Sequence, residues 1–256
     1  MAIYEVHRTD PHNIGDAYCN PSKYFDLPLK RTVDIFNKKW LPNKDDTVII
    51  GGGGLIRRTF QKQIIKYKDT GAKLIFWGIG HNFRMKETHM WWPEWVTSAK
   101  LWSVRDYKKM KYYVPCVSCM HPAFDKKRTS VRKEVYFIHA HRNRNENYAT
   151  LYGNNIMSND QQDFEKVISF LGSGETVITD SFHGAYWAML LGKKVKVVNW
   201  TTKFINFEHQ PEFIQSIKDP STLRLSAYKD DYDQYLDNCR TRNKDFYKKV
   251  IAELDS

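Results

Sequence analysis

The sequence predicts an α/β fold in which each half of the chain forms a parallel β-sheet covered by helices. Short apolar segments typical of strands alternate with segments of helical periodicity. Strand segments such as Thr47–Ile50 and Lys73–Trp77 are continuously apolar, which indicates burial on both faces of a sheet. Polar or glycine-rich loops follow several strands directly, at the sheet edge where parallel α/β folds bind ligands.

The length and composition favour a folded chain of two domains. The 256 residues are enough for two domains of ordinary size, and we expect an N-terminal domain at 1–120 and a C-terminal domain at 121–256. The joining segment, Pro115–Lys133, contains two prolines and a basic cluster. A hydrophobic content of 41% excludes global disorder.

The expected elements follow in chain order. In the first half we expect a strand at Ile3–His7, a polar loop at Arg8–Asn20, a helix at Thr32–Trp40, strands at Thr47–Ile50, Lys73–Trp77 and Leu101–Val104, and helices at Ile56–Lys68 and Asp106–Tyr113. In the second half we expect strands at Glu134–Ile138, Thr176–Thr179 and Val195–Val198, and helices at Asp163–Leu171, Gly184–Leu191 and Tyr232–Leu254.

The first residues are charged and no apolar run approaches the roughly 20 residues that span a bilayer. These features predict a cytoplasmic protein without a transmembrane segment. Four cysteines are too few for a disulfide scaffold. The spacing of Cys116 and Cys119 resembles half of a zinc site, but the second pair of ligands is missing. We therefore expect no metal, and the sequence leaves the role of these two thiols open.

The net charge indicates the kind of partner. Forty Lys and Arg residues against 29 Asp and Glu residues give a net charge of +11, which favours polyanions such as phosphorylated donors, anionic polymers or nucleic acid. The alternative is a lysine-rich surface that serves only solubility. The oligomeric state is not indicated.

Four consecutive glycines, Gly51–Gly54, follow a predicted strand. They match neither nucleotide-binding fingerprint, because no Lys-Ser/Thr pair follows and Ile56 replaces the third glycine of the dinucleotide motif. Bare backbone N–H groups at a helix N-terminus suit an anion or a closely approaching sugar. A tight strand-to-helix turn is the structural alternative.

Asp180 and His183 flank the turn after a second-half strand. A histidine there can bind phosphate or act as an acid or base near neutral pH, while Asp180 is equally suited to cap a helix. After the first strand, Asp16 is a candidate base for an acceptor hydroxyl, with an Asx-type turn as the alternative. His139 and His141 could be paired metal ligands on one strand face. We prefer phosphate contacts of this segment, shared with Arg142 and Arg144, and a solvated basic loop is a further alternative.

Five tryptophans concentrate in the first half: Trp77, Trp91, Trp92, Trp95 and Trp102. The group at 91–95 lies in an expected loop and could stack on a sugar or a base. Core packing is the favoured interpretation, because large aromatic side chains mostly fill cores.

Five motifs in order resemble the polysaccharide pyruvyl transferase family, over about residues 3–205: Asn13-Ile-Gly-Asp16, Gly51–Gly54, Gly78-Ile-Gly80, Ser103-Val-Arg-Asp106 and Val177–Gly184. The resemblance implies a GT-B-like fold, with two Rossmann-like domains facing a cleft and the last helix often returning to the first domain. It also implies that His183 serves the transfer step. In members that use phosphoenolpyruvate, Arg-Leu often precedes this histidine, whereas Ser181-Phe182 stands here.

Two transferase hypotheses follow. The first is a metal-independent glycosyltransferase that uses a nucleotide-sugar donor and a polyanionic acceptor, hydroxymethylated DNA being one candidate. The second is a phosphoenolpyruvate-dependent pyruvyl transferase that forms a ketal on a surface glycan. A non-catalytic glycan- or nucleic-acid-binding module is a third alternative. No permanently bound cofactor is expected in any case.

The site residues expected for transfer fall into three groups. The catalytic pair is Asp16 and His183. The donor-binding residues are Ser181, Gly184, His141, Arg142, Lys203 and Asp180. The anion- or acceptor-binding residues are Asn13, Gly51, Gly52, Gly53, Gly54, Gly78, Gly80, His81 and Arg105.

Overall fold

The structure, a computed structural model, describes residues 1–84, 92–144, 146–224 and 234–256. The chain divides into two compact units. The first unit comprises Met1–Asp10, Asp16–Ser118 and Cys239–Ser256; the second comprises Pro11–Gly15 and Cys119–Asn238.

The first unit contains a five-stranded parallel sheet. Its strands are β1 (Ile3–His7), β2 (Arg31–Asp34), β3 (Thr47–Gly51), β4 (Lys73–Ile79) and β5 (Leu101–Val104). Their order is β2-β1-β3-β4-β5. The central strand β3 is buried throughout, because helices and loops cover both faces of the sheet. The four strands expected in this half are confirmed.

The helix expected at Thr32–Trp40 is wrong, because its first residues form β2. Val33 and Ile35 are buried at two-residue spacing, whereas Phe36 is 44% exposed, a pattern that fits a strand better than a helix. The Asp34 carboxylate then accepts a hydrogen bond from the Phe36 backbone N–H at 2.6 Å. This local turn ends the strand.

Among the described residues up to Ser118, three α-helices belong wholly or partly to the first unit. They are α1 (Ile14–Ala17), α2 (Arg58–Asp69) and α3 (Glu94–Thr97). Helix α2 confirms the helix expected at Ile56–Lys68. The helix expected at Asp106–Tyr113 is instead a 3-10 segment, Tyr107–Tyr112, interrupted at Lys109.

The tryptophans divide between core and surface. Trp77 and Trp95 are buried in the core of the first unit, and Trp92 and Trp102 are partly buried against it. Trp91 lies outside the described residues. The preference for core packing therefore holds for Trp77 and Trp95.

The second unit contains a six-stranded sheet that is parallel except for its last strand. Its strands are β6 (Arg132–Ile138), β7 (Ile156–Ser158), β8 (Gly174–Thr179), β9 (Lys194–Val198), β10 (Glu212–Ile214) and β11 (Thr222–Arg224). The order is β11-β10-β9-β8-β6-β7, and β11 runs antiparallel to β10. The sequence predicted β6, β8 and β9; the three-residue strands were not predicted.

The helices of the second unit are α4 (Tyr148–Tyr152), α5 (Phe164–Gly172) and α6 (Phe182–Leu190). Helix α5 confirms the expected helix, and its N-cap Asp163 accepts a hydrogen bond from the Lys166 N–H at 3.0 Å. Every residue of α6 is buried, so this helix has no solvent-exposed face. The expectation of an α/β chain with two parallel-rich sheets is confirmed.

The last helix, α7 (Tyr235–Leu254), confirms the expected C-terminal helix. Residues 232 and 233 of that expectation lie outside the described residues. From Cys239 onwards α7 belongs to the first unit, where Phe246 and Val250 pack into a core cluster with Ile49 and Trp77. Asn243 is buried there, and it accepts a hydrogen bond from the Trp77 indole N–H at 3.0 Å. Among the described residues, no helix is both long and apolar enough to cross a membrane.

Candidate active site

The carboxyl edge of the second unit's sheet gathers most of the expected donor residues. The loop after β6 begins at His139, Asn159 follows β7, Asp180 follows β8, and the segment from Asn199 to Lys203 follows β9. These strands are parallel neighbours, so their carboxyl ends meet at one edge.

Asp180 organises the loop after β6. Its side chain is fully buried. One carboxylate oxygen accepts a hydrogen bond from the His139 backbone N–H at 2.7 Å. The other accepts from Arg142 Nη1 at 3.0 Å and from Asn143 Nδ2 at 2.8 Å. Because three donors surround it, Asp180 acts mainly by fixing Arg142 and the loop backbone.

Two cations lie beside the indole ring of Trp200. The Arg142 guanidinium carbon lies 5.1 Å and Lys203 Nζ lies 4.8 Å from the ring centroid, within the range of cation–π contacts. The indole N–H donates to the Asp180 backbone carbonyl at 2.8 Å. Trp200 was not among the residues expected from the sequence, and it brings the two expected cations to one place.

His139 lies at the same edge. Burial lowers the pKa of its imidazole, the positive charge of Lys203 adds to this effect, and Asp180 opposes it, so that the pKa is about 4. His139 is therefore neutral at pH 7. His141 and Arg144 are exposed and contact each other, so His141 is part of the solvated end of this loop.

His183 lies in the first turn of α6 and is 8% exposed. Its ring centroid is 5.2 Å from that of Trp187, with the rings 28° from parallel. Ser181, not Asp180, is the N-cap of the helix, and its Oγ accepts from the Gly184 N–H at 3.4 Å. A Cβ on Gly184 would lie 2.5 Å from the Phe137 ring, so this glycine allows close packing of α6 on β6.

Asn13 belongs to the second unit, together with Gly15. Its side-chain oxygen accepts a hydrogen bond from Asn159 Nδ2 at 3.0 Å. Asn159, which is 2% exposed, was not predicted from the sequence. It follows a strand of only three residues, so no periodicity marks it.

In the first unit the glycine loop is packed against another segment of chain. Gly52 and Gly53 have φ angles of +66° and +81°, values that favour glycine. A Cβ on Gly52 would lie 1.9 Å from the Cys19 carbonyl oxygen, and one on Gly54 would lie 2.8 Å from Asn82. The Gly52 N–H donates to the Trp77 carbonyl at 3.0 Å.

The expectation that this loop opens a helix is therefore wrong. Helix α2 begins only at Arg58, and the Gly52 N–H is already bonded within the sheet edge. The structure explains these glycines by positive φ angles and by close packing against neighbouring chain segments. Their contact with an anion stays a prediction.

A histidine–aspartate pair lies after β4 and β5. His81 and Asp106 are both nearly fully buried. The His81 backbone N–H donates to Asp106 Oδ2 at 3.0 Å, and His81 Nδ1 lies 3.3 Å from the same oxygen. A Cβ on Gly80 would lie 2.7 Å from Arg105 Nε. Gly78 has a φ of +58° and faces the Val114 carbonyl, so both glycines serve close packing beside this pair.

Asp16 is half-buried in the first unit, and its backbone carbonyl accepts the Cys19 thiol at 3.3 Å. Burial raises the pKa of the Cys19 and Cys116 thiols, so both are protonated and poor nucleophiles at neutral pH. Among the residues that the structure describes, no group of three or more His, Cys, Asp or Glu side chains could hold a metal ion.

The structure thus brings the expected residues together in two separate sets. The second unit holds Asn13, His141, Arg142, Asp180, Ser181, His183, Gly184 and Lys203; the first unit holds Asp16, Gly51, Gly52, Gly53, Gly54, Gly78, Gly80, His81 and Arg105.

The chain belongs to the polysaccharide pyruvyl transferase family, whose model matches residues 4–202. The match spans most of the chain and confirms the family that the sequence motifs resemble. It makes the protein a member of a family of transferases. No curated protein matches the chain.

A solved structure of a functionally uncharacterised protein from Klebsiella pneumoniae subsp. pneumoniae NTUH-K2044 is similar to this chain. The TM-score is 0.47 at 18% sequence identity, covering 77% of this chain and 83% of that one.

Proposed function

We propose that this protein is a pyruvyl transferase, which moves the three-carbon unit of phosphoenolpyruvate onto two hydroxyls of a glycan as a ketal. The observation that carries the proposal is the family match over residues 4–202. It supports pyruvyl transfer better than the nucleotide-sugar glycosyltransferase that the sequence first suggested.

The chemistry sets the groups that the site must supply. C3 of phosphoenolpyruvate gains a proton, two acceptor oxygens bond to C2, and the bond between C2 and the bridging phosphate oxygen breaks to release inorganic phosphate. Each of the two acceptor hydroxyls loses its proton; the balance places one proton on C3 and the other on the released phosphate. The enzyme therefore needs cations for the donor carboxylate and phosphate, and an acid or base active near neutral pH.

We assign the donor acids to Arg142 and Lys203. Ser181 and Phe182 stand where an arginine often precedes the histidine in members that use phosphoenolpyruvate. Ser181 caps α6, and Phe182 stacks on Phe207 with centroids 4.7 Å apart, so neither offers a charge. Arg142 has a planar fork suited to a carboxylate, and Asp180 orients it.

We assign proton transfer to His183, which lies beside this edge on α6. Asp16 in the first unit is proposed as the base for the acceptor hydroxyl. The contacts of the glycine loop, His81 and Arg105 with acceptor or anion also stay proposals. A GT-B-like fold of two Rossmann-like domains is proposed on the family resemblance. A cytoplasmic location is proposed from the sequence.

An anionic glycan is the acceptor we propose, because the net charge of +11 attracts polyanions. The observations do not favour DNA over a glycan, so duplex DNA is best used as a competitor. If duplex DNA inhibited pyruvyl transfer and an acidic glycan did not, this assignment of the acceptor would be wrong.

Calorimetry with donors tests the proposal. We expect phosphoenolpyruvate to bind and to raise the free energy of unfolding by about 2.7 kcal/mol at 100 times its Kd. The UDP, GDP and CDP sugars are the comparison ligands, and inorganic phosphate controls for simple anion binding. Binding of a nucleotide sugar, with no binding of phosphoenolpyruvate, would overturn the proposal.

A further inference from the structure

Asn159 joins two chain segments of the second unit through all of its polar groups. Its backbone N–H donates to the Ile138 carbonyl at 2.9 Å, and its carbonyl accepts from the Ile14 N–H at 3.0 Å. Its side-chain oxygen accepts from the Ala140 N–H at 2.7 Å. Its side-chain nitrogen donates to Asn13 Oδ1 at 3.0 Å. One buried side chain therefore ties the loop after β6 to the segment at 11–15.

The tied segment ends against the imidazole of His183. Asn13 Oδ1 also accepts from the Gly15 N–H at 3.2 Å, which fixes the backbone at Gly15. A Cβ on Gly15 would lie 2.0 Å from His183 Nδ1 and 2.6 Å from its Cγ. Because real Cβ atoms do not approach so closely, only glycine fits here without moving the ring. On another side the imidazole packs on the Trp187 ring.

We infer that Asn159 and Gly15 are positioning residues that set the orientation of the His183 imidazole. Asn159 fixes the segment, and the bare backbone of Gly15 forms a wall of the space in which the ring lies. The inference rests on the proposed function for the role of His183, but not for its position. An acid or base must be held close to its productive geometry, and a shift of about 1 Å can cost about 100-fold in rate.

The same side chain also fixes the neighbouring loop. Asn159 Oδ1 accepts a hydrogen bond from the backbone N–H of Ala140, which lies two residues before Arg142 in the chain. The position of the proposed acid or base and the start of the proposed donor-binding loop are thus coupled through one residue. This explains why an amide is needed at 159, since a carboxylate could not donate to Asn13 and an apolar side chain could bond to neither segment.

Two variants that change no charge, Asn159→Ala and Gly15→Ala, test the inference. The control is Asn154→Ala, at an exposed asparagine nearby in the chain. In the wild type we expect a nuclear Overhauser effect between the Gly15 Hα protons and the ring protons of His183. His183→Gln assigns the ring signals. Asn159→Ala is expected to weaken this effect and to shift the ring resonances. Gly15→Ala, which removes no hydrogen-bond partner, is expected to shift them and to alter the His183–Trp187 contact.

Kinetics supply the second readout. We expect both variants to lower kcat by about 10- to 100-fold, because the ring moves. Gly15→Ala should leave KM for phosphoenolpyruvate nearly unchanged, whereas Asn159→Ala should also raise it, because this variant frees the start of the loop that carries Arg142. Asn154→Ala should match the wild type in both readouts.

The inference is overturned if Asn159→Ala keeps the Gly15–His183 effect and the ring resonances of the wild type. If Asn159→Ala does not fold, unchanged ring resonances and an unchanged His183–Trp187 contact in Gly15→Ala overturn it equally. If the wild type makes no pyruvylated product but the ring signals move as expected, the proposed function fails and the positioning stands.

Discussion

Asp180 is the residue on which the arrangement of the candidate donor site depends most. Its buried carboxylate takes hydrogen bonds from His139, Arg142 and Asn143. A buried carboxylate is costly unless it is well paired, so these three donors are needed by Asp180 as much as they are oriented by it. The pairing leaves Arg142 beside Trp200 and Lys203, where it is available to an anionic donor.

Replacing Arg142 should therefore weaken donor binding. We expect Arg142→Gln to raise KM for phosphoenolpyruvate by about 10- to 100-fold, since hydrogen bonds to charged groups contribute about 1.5–3 kcal/mol. The matched control is Arg31→Gln, the same change at an exposed residue of β2. Steady-state kinetics and calorimetry measure both variants. If KM for phosphoenolpyruvate were unchanged in Arg142→Gln, Arg142 would not bind the donor.

His139 makes stability depend on pH. Burial, and then the charge of Lys203, lower its pKa to about 4 in the folded protein, against about 6.5 for an unfolded chain. Between these values the unfolded state binds more protons. The free energy of unfolding should therefore be fully retained above pH 6.5 and fall by up to about 1.4 kcal/mol per pH unit towards pH 4.

Urea unfolding at several pH values tests this dependence. In His139→Asn the free energy of unfolding should depend less steeply on pH than in the wild type. Lys203→Gln should raise the pKa of His139 in the folded protein. The pH range over which the free energy of unfolding falls should therefore become narrower. If the free energy of unfolding depended equally on pH in His139→Asn and in the wild type, His139 would not be the source of the pH dependence.

Elements of the first unit depend on close approaches that only glycine allows. Gly52 and Gly53 both have positive φ angles, so an L side chain strains either position, by about 1–2 kcal/mol. Only Gly52 also clashes, because its Cβ would lie 1.9 Å from the Cys19 carbonyl oxygen, whereas the nearest atom to a Cβ on Gly53 is 3.9 Å away.

The two glycines form a matched pair of substitutions. We expect Gly53→Ala to lower the free energy of unfolding by about 1–2 kcal/mol. Gly52→Ala should lower it by clearly more, since the backbone around Cys19 must also move. Urea midpoints of the two variants decide the matter, and equal losses would mean that the loop does not need this close approach.

The sequence predicted the long buried strands well. Strands such as β3 and β4 contain continuous apolar runs, which burial on both sheet faces imposes. It misassigned β2, where three- and four-residue spacing among apolar residues suggested a helix, although Val33 and Ile35 are buried as in a strand. The strands β7 and β10 have three residues each, too few to give a period.

The candidate site was predictable only in part. Asp180, His183 and Arg142 follow predicted strands, so their place at the sheet edge could be inferred. Asn159 could not be found this way, because its partners Ala140 and Asn13 lie 19 and 146 residues away along the chain. Contacts at such separations are set by the tertiary fold and leave no local pattern.

At the scale of the whole molecule, the charge should affect acceptor use. The net charge of +11 predicts faster encounter with acidic than with neutral glycans, and this advantage should shrink as salt rises, since salt screens long-range attraction. Initial rates with paired acidic and neutral glycans at two ionic strengths measure the effect. A salt-independent preference would assign acceptor choice to local contacts instead.

The family match and the arrangement at the second unit's sheet edge are the basis for the proposed transfer of pyruvate from phosphoenolpyruvate to a glycan. The most direct measurement is product mass together with phosphate release, in the presence of phosphoenolpyruvate and an acidic glycan. We expect a product heavier by one pyruvic acid less one water, one phosphate released per ketal, and neither product with His183→Gln. Sugar transfer from a nucleotide sugar, without any phosphoenolpyruvate-dependent product, would contradict this proposal.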